Sequence, residues 1–378
     1  MSMNRGLSVF IGVLLESFGR LSRKKYARAK PKVGAGYTEG DVDRLADYQF
    51  DLPEGLIAQT PLADRAAARM LCLDQRTGAV VHRTFRDLPS LLNPGDVLVL
   101  NDTRVTALRL FGHKSTGAQV EVLLLQPTGV PGEFTAMLRP GKRLRSGDRI
   151  LFERELAAEV QEGGEGPVRI IRFVDLDRLG ELERIGRVPL PPYIHEALHE
   201  DERYQTVYSQ TGGSAAAPTA GLHFTPELLA QIEDKGVQRA QVTLDVSIDT
   251  FRPVQADSLN EHVMHGERCA ILESAAATIN RASGRVIAVG TTSVRTLESL
   301  AASDGKVRAG ETVSKIFIRP GYEFKVVDGM LTNFHMPGTT MLMMLSAMTG
   351  RDPLFNAYAQ AVREKYRFLS FGDSMFIH

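Results

Sequence analysis

Reactive residue types in this 378-residue chain are densest at positions 218–254, which contain PTAGLHFTPELL and VTLDVSIDTFRPV. In VTLDVSIDTF, side chains alternate between faces, so Val242, Leu244, Val246 and Ile248 share one face while Thr243, Asp245, Ser247 and Asp249 share the other. The two carboxylates are then about 13 Å apart at roughly 3.3 Å per residue. That is too far to share a proton, but it suits two separate tasks, gripping a hydroxyl and steadying a cation. A solvated strand face would give the same pattern. Thr219 and His223 in the turn, and Thr250 and Arg252 in the TFRP end, complete the candidate wall of an active site.

Five further groupings could carry chemistry. GTTS at 290–293 stands between an apolar run and a helix start, where free backbone amides and the hydroxyls of Thr291, Thr292 and Ser293 suit a carboxylate or phosphate. Ordinary capping by Ser293 fits the same text, and Arg295 then points to the ligand or to solvent. His262, His265 and Glu267 have a metal-like spacing, yet no cysteine or third histidine stands near, so hydrogen bonding or substrate contact fits better. Asn333 and His335 precede Met-Pro-Gly; His335 reads as a proton carrier or as a satisfied turn residue. Asp102 and Arg104 in NDTR follow a buried strand, where Arg104 would clamp an anion bidentately or make an interdomain salt bridge. Arg139, Lys142 and Arg143 form a local basic patch suited to a nucleic-acid backbone, or a solvated hairpin tip. No Walker loop, dinucleotide-binding glycine fingerprint or nucleophile elbow stands out.

The elements that must hold these residues follow from periodicity. Alternating runs at 70–73 and 80–85 around QRTG predict a hairpin, and 97–100 a buried strand. Residues 108–174 read as short strands between Gly/Pro turns, which predicts a small barrel or sandwich. Thr225-Pro-Glu opens a helix that Lys235-Gly closes; further helices are expected at 293–302 and 341–348. Strands alternating with helices on both sides of the strand-rich region predict a mostly parallel, helix-covered sheet interrupted by an insertion. The expected division is an α/β domain at 44–103 and 178–378, an inserted β-barrel-like domain at 104–177, and an N-terminal extension at 1–43 outside the fold.

Composition excludes several classes. Hydrophobic content of 43% and charged content of 24% are those of a globular chain, and net charge is zero. Residues 1–35 hold eight Lys/Arg against one Glu, or +7, leaving −7 for the remainder, so the body is not a basic nucleic-acid binder by composition. Two distant cysteines argue neither a disulfide framework nor a thiolate metal site, and fit a reducing cytoplasm. The apolar run at 7–15 is too short to span a membrane. With the basic stretch after it, it reads as an over-extended start, a targeting segment or a basic arm.

Taken together, DYQFDLPEGLIAQTPLADR, LNDTRV, LRPGKRL, GRVPLPPYI, ERYQTVYSQ, AAPTAGLHFT, TFRPV, HVMHGE, VGTTSVRTLES, RPGYEF, LTNFHMPGTT and YRFLSFGDSM resemble the S-adenosylmethionine:tRNA ribosyltransferase-isomerase family of queuosine biosynthesis. The resemblance runs from about Asp47 to the C-terminus. It implies a discontinuous three-layer α/β domain with an inserted small β-barrel, no metal and no cofactor, S-adenosylmethionine being a co-substrate. Its partners would be S-adenosylmethionine and a tRNA bearing the deazaguanine precursor, with no membrane and a monomeric chain. The reaction implied moves and isomerises the ribosyl group onto the aminomethyl-deazaguanine base, giving epoxyqueuosine and releasing adenine and methionine. On that reading the titratable groups are Asp245, Asp249, His223, His262, His265 and His335. Thr291, Thr292 and Ser293 would hold the methionine carboxylate, with Arg139, Lys142 and Arg143 on tRNA phosphates. The family pattern VTLHVGxGTF differs here, with Asp245 for His, and Ser247 and Asp249 for Gly; Gly338 replaces a basic residue. Replacing His by Asp exchanges a near-neutral proton carrier for an anion. The alternative is therefore a catalytically impaired paralogue that retains tRNA or nucleotide binding.

Overall fold

The computed structural model describes residues 44–164, 167–246, 259 and 262–378, the Lys142 side chain excepted. The extension at 1–43 lies outside them, as do Asp249, Thr250 and Arg252. The strands, in chain order, are β1 (Arg69–Leu73), β2 (Val80–Thr84), β3 (Val97–Asn101), β4 (Thr103–Val105), β5 (Leu108–Lys114), β6 (Gln119–Pro127), β7 (Glu133–Arg139), β8 (Arg149–Phe152) and β9 (Ala157–Gln161). They continue with β10 (Val168–Phe173), β11 (Thr211–Ser214), β12 (Gln238–Leu244), β13 (Glu267–Ile271), β14 (Val286–Val289), β15 (Gly310–Ser314), β16 (Gly329–Asn333) and β17 (Ser374–Ile377). The α-helices are α1 (Leu88–Leu91), α2 (Leu182–Ile185), α3 (Pro226–Asp234), α4 (Glu273–Asn280), α5 (Gly290–Ser299), α6 (Thr340–Thr349) and α7 (Arg351–Arg363).

Nine strands form one sheet in the order β15-β13-β12-β3-β14-β16-β17-β1-β2. Only β12-β3, β3-β14, β14-β16 and β17-β1 pair in parallel; the other neighbours are antiparallel. The sheet is thus mixed, not mostly parallel as the text suggested. At one flank β1 and β2 form a hairpin, at the other β13 pairs antiparallel with β12 and β15, and β17, reached from β16 through α6 and α7, returns antiparallel to β16. At the centre the expectation holds. VLVLN of β3 is buried on both faces because Val97 and Val99 pack among α4 and α5 side chains, while Leu98 and Leu100 meet Leu228, Leu229 and Ile232 of α3. Helix α3 begins and ends as its text requires: the Thr225 hydroxyl accepts from the Leu228 amide (3.2 Å), Pro226 is the first helical residue, and Gly236 follows at φ +87°.

Strands β5 to β10 close a barrel in the order β10-β7-β6-β5-β8-β9, filled by Leu110, Val122, Leu124, Leu138, Ile150, Phe152 and Phe173. The chain enters it through β4, which pairs in parallel with β11 on the return. The Gln126 amide at the end of β6 donates to the Gly213 carbonyl and fixes the seam. Among the described residues, no helix is long and apolar enough to cross a membrane.

At the amino edge of the parallel strands, polar groups are closed on one another. Asp96, 1% exposed, accepts from the Asn93 amide (2.9 Å), the Arg285 amide (2.8 Å) and the Arg285 guanidinium (2.6 Å). Asp328 accepts from the Val286 amide at 2.8 Å. These bonds hold the Asp96 carboxyl below the usual carboxylate range although burial opposes ionisation.

Candidate active site at the carboxyl edge of the sheet

The opposite edge gathers most of the singled-out residues, because β3, β12, β14 and β16 all end there while β13 and β17 begin there. In open α/β sheets that edge is where ligands bind. Asn101 shapes it: its side-chain amide donates to the Leu244 carbonyl (3.1 Å) and its oxygen accepts from the Leu244 (3.1 Å) and Thr103 (3.2 Å) amides. The next residue, Asp102, is 8% exposed, and its carboxylate accepts hydroxyl hydrogen bonds from Thr243 (2.7 Å) and Thr211 (3.2 Å). Among the described residues no Lys or Arg forms an ion pair with it. A buried carboxylate without a cation is costly unless a ligand supplies the charge.

Asp245 stands in another state. Its side chain lies on the Thr243 face, as the alternation predicts, with Val242, Leu244 and Val246 buried. Its carboxylate pairs with Arg268 (3.2 Å) and accepts from Thr103 (3.4 Å). Arg268 also grips Glu311 at 2.5 and 2.9 Å, and both carboxylates push its pKa up, Glu311 more strongly. The Asp245 charge is therefore already compensated. Its predicted partner carboxylate Asp249 lies outside the described residues.

A second cluster centres on Asn333. Its side-chain nitrogen donates to Thr219 Oγ1 (3.1 Å) and to the Leu369 (3.2 Å) and Ser370 (3.4 Å) carbonyls. Those acceptors fix the amide orientation, so Asn333 Oδ1 faces His223 Nε2 (3.2 Å) and that ring nitrogen carries the proton. His223 is buried against Phe85, and burial pushes its pKa down to about 4. His335 is likewise driven down to about 4 by burial and bonds Thr332 (2.8 Å) while its amide donates to Tyr358 (3.0 Å). Both imidazoles are neutral at pH 7, and His335 has the partners of a satisfied turn residue.

Glycine is required where the TAGLH turn meets its neighbours. A Cβ at Gly221 would lie 2.0 Å from the Tyr208 hydroxyl oxygen. That hydroxyl is buried without a partner, and burial followed by the Asp102 charge pushes its pKa up while the Arg65 charge opposes them. Tyr208 thus stands between the Asp102 region and Arg65, which with His223, Arg203, Leu222, Ser370 and Phe371 lines a small, open pocket. None of Arg65, Arg203, Tyr208 or Ser370 was among the residues chosen from the sequence. They sit inside PLADR, ERYQTVYSQ and YRFLSFGDSM, and only an arginine beside apolar turn residues marks them in the text.

Other expectations are corrected. Helix α5 starts at Gly290, so GTTS is its first turn and Ser293 is no cap. Gly290 turns the chain into the helix at φ +85°, and Ser293, fully buried, donates to the Val289 carbonyl (2.8 Å). Thr291 and Thr292 are half-buried at that N-terminus, with the Thr292 hydroxyl unpartnered. Arg295 points neither to an open site nor to solvent: it forms a buried ion pair with Glu267 and donates to the Ser314 carbonyl (3.2 Å). Glu267 is thereby withdrawn from the His262–His265 grouping. His262 packs edge-on to Phe317, and burial lowers its pKa; His265 is exposed. Arg104 makes a salt bridge to Glu202 and donates to Ser209 (3.1 Å) rather than standing open as an anion clamp. Arg139 and Arg143 are exposed at the barrel end of β7 and the turn after it; Lys142 lies between them. Arg139 pairs in register with Glu121, five residues before the seam residue Gln126, or about 17 Å along the strand.

Residues 45–377 match the protein family described as "Queuosine biosynthesis protein". The S-adenosylmethionine:tRNA ribosyltransferase-isomerase of Clostridioides difficile (strain 630) is 50% identical over 341 residues, 88% of this chain and 99% of that protein. The protein of the same name from Symbiobacterium thermophilum is 49% identical over 341 residues, with the same coverage. The crystal structure of S-adenosylmethionine tRNA ribosyltransferase from Thermotoga maritima is 34% identical and superposes with a TM-score of 0.50, covering 88% of this chain and 100% of that one.

Proposed function

The chain belongs to the queuosine biosynthesis protein family, and from that premise we propose that it is an S-adenosylmethionine:tRNA ribosyltransferase-isomerase. In the reaction proposed, it moves the ribosyl group of S-adenosylmethionine to the aminomethyl-deazaguanine base of tRNA and isomerises it to the epoxycyclopentanediol of epoxyqueuosine. Adenine and methionine leave. The observation that carries this reading is Asp102, a buried carboxylate at the carboxyl edge, held by two threonine hydroxyls and paired with no cation among the described residues. A sulfonium substrate supplies the missing positive charge, and a carboxylate beside it is suited to taking the acidified proton on the adjacent carbon. Tyr208, protonated at neutral pH and influenced by both Asp102 and Arg65, is suited to donate a hydrogen bond to a leaving or developing anion. His223 and His335, neutral at pH 7, add polarity without adding charge. Asp245 is already paired with Arg268, so the role of base is assigned to Asp102 instead.

No group of three or more His, Cys, Asp or Glu side chains placed to hold a metal ion occurs among the described residues. The basic patch at Arg139, Lys142 and Arg143 is proposed to meet tRNA phosphates, the strand spanning the distance to the edge. The experiment is turnover of S-adenosylmethionine with tRNA carrying the precursor base, followed by nucleoside mass analysis. Epoxyqueuosine is the expected product. Its absence with tRNA binding intact would contradict the reading and favour the impaired paralogue, for which the Asp245–Arg268 pair at the family's histidine position is the supporting feature.

A further inference from the structure

The barrel strands nearest the seam turn one face inward and the other to solvent. On β5, Leu110 and Gly112 are buried while Phe111 and His113 are exposed; Val120 and Val122 on β6 and Leu138 on β7 are buried likewise. Directly opposed residues of antiparallel neighbours share a face. Phe111 pairs with Glu121, which pairs with Arg139, so these three form one row across the outer face. His113 and Gln119 form the next row, towards the turn that carries Arg143. On the other side, the row of Arg109, Leu123 and Met137 meets the α/β domain. There Leu123 packs with Ala107 and Ala215, and the Ala215 amide donates to the Val246 carbonyl (3.0 Å), one residue after Asp245. The Phe111 row thus lies two residues, or about 7 Å, from the seam, on a face that runs to the carboxyl edge.

Phe111 is 55% exposed, and among the described residues its ring stacks on no other. Its surroundings are cationic and polar. Arg139, Arg143, His113 and Gln119 are exposed, and Arg143 forms no ion pair among the described residues. The acids close by are compensated: Glu121 pairs with Arg109 (3.1 Å) and Asp148 with Lys114 (2.8 Å). An isolated ring beside guanidinium groups lacks the apolar core of a protein interface. It matches a single-stranded RNA loop, whose bases stack on aromatic side chains while its phosphates meet cations.

We propose that Phe111 is a stacking platform for an unpaired base of the tRNA, with Arg139 and Arg143 on the phosphates beside that base. The platform deepens the functional reading above and rests on it for the identity of the RNA. A loop held here by one base presents neighbouring bases to the carboxyl edge.

The test uses the whole protein and an anticodon stem-loop RNA, with affinity read across a salt series for wild type, Phe111→Ala, Phe111→Leu and Phe111→Trp. Phe111→Ala and Phe111→Leu are expected to weaken RNA binding about tenfold. The slope of log affinity against log salt should stay unchanged, because stacking releases no counterions. Phe111→Trp is expected to keep wild-type affinity and, since the chain contains no tryptophan, to supply a single indole emission that bound RNA quenches. Affinity for S-adenosylmethionine and the melting temperature should match wild type in every variant, as more than half of the ring is in solvent. Full RNA affinity in Phe111→Ala or Phe111→Leu overturns the proposal, as does an indole emission indifferent to bound RNA or a wild type that binds no RNA. A concentration-dependent mass in sedimentation that Phe111→Ala abolishes, with RNA affinity unchanged, assigns the ring to a second copy of this chain and overturns it too. The two readings fail separately. A wild type whose RNA binding depends on Phe111 but which makes no epoxyqueuosine refutes the activity and leaves the platform standing. Epoxyqueuosine formed by a Phe111→Ala protein with wild-type RNA affinity refutes the platform alone.

Discussion

The two ends of the same parallel strands are built on opposite principles. At the amino edge, Asp96 meets three donor groups from Asn93 and Arg285, and Asp328 ties the start of β14. At the carboxyl edge, Asp102 has hydroxyls but no cation, and Tyr208, Arg203, Arg367 and Thr292 keep buried polar atoms without partners. Buried polar groups are ordinarily satisfied, and such exceptions at the carboxyl edge mark where a ligand would complete the bonding. One edge stores stability and the other reactivity.

The contrast can be broken most severely at the closed end. Asp96→Ala strands the Arg285 guanidinium, and a loss of about 3–5 kcal/mol in unfolding free energy is expected from denaturant titration. Molecules that remain folded should turn over normally. Next, Gly221→Ala drives a methyl group into the Tyr208 hydroxyl and is expected to cost about 1–3 kcal/mol, with lowered turnover. A melt that is unchanged in that variant would remove the close approach from the account.

The pH dependence sharpens the comparison further. His223 and His335 are held near 4 in the folded protein against 6.5 unfolded, so between those limits the unfolded chain binds protons that the native one does not. Stability should therefore fall as pH drops from about 6.5 to about 4, by on the order of 1 kcal/mol per pH unit for each histidine, and no further from these groups below that. His223→Gln should make that slope shallower; an unchanged slope would contradict its buried neutral state. The smallest effect is expected at the half-exposed Asp245–Arg268 pair, where Asp245→Asn should shift stability by less than about 1 kcal/mol.

Much of this was legible in the residue order. Thr225-Pro226 and Lys235-Gly236 mark both ends of α3, and the hydrophobic alternation of β12 gives the correct inward face because those signals are local. The mixed sheet was not legible, since strand neighbours are set by long-range packing and β17 returns from the far end of the chain. For the site, Asp102, His223, Thr219 and Asn333 were visible as polar residues in Gly/Pro-rich turns. Arg295 was misread because a helical arginine reveals nothing of Glu267 on a distant strand. Arg65 and Arg203 escaped notice for the same reason: each is an ordinary arginine in its own segment, and only the tertiary fold brings the two together.

The central claim is that the open edge carries the chemistry through Asp102. Its most direct test is turnover and unfolding free energy measured together for Asp102→Asn, a substitution that keeps shape and removes charge. Turnover is predicted to fall at least a hundredfold, with stability within about 1 kcal/mol of wild type. Near-normal formation of epoxyqueuosine by a well-folded Asp102→Asn protein would contradict it.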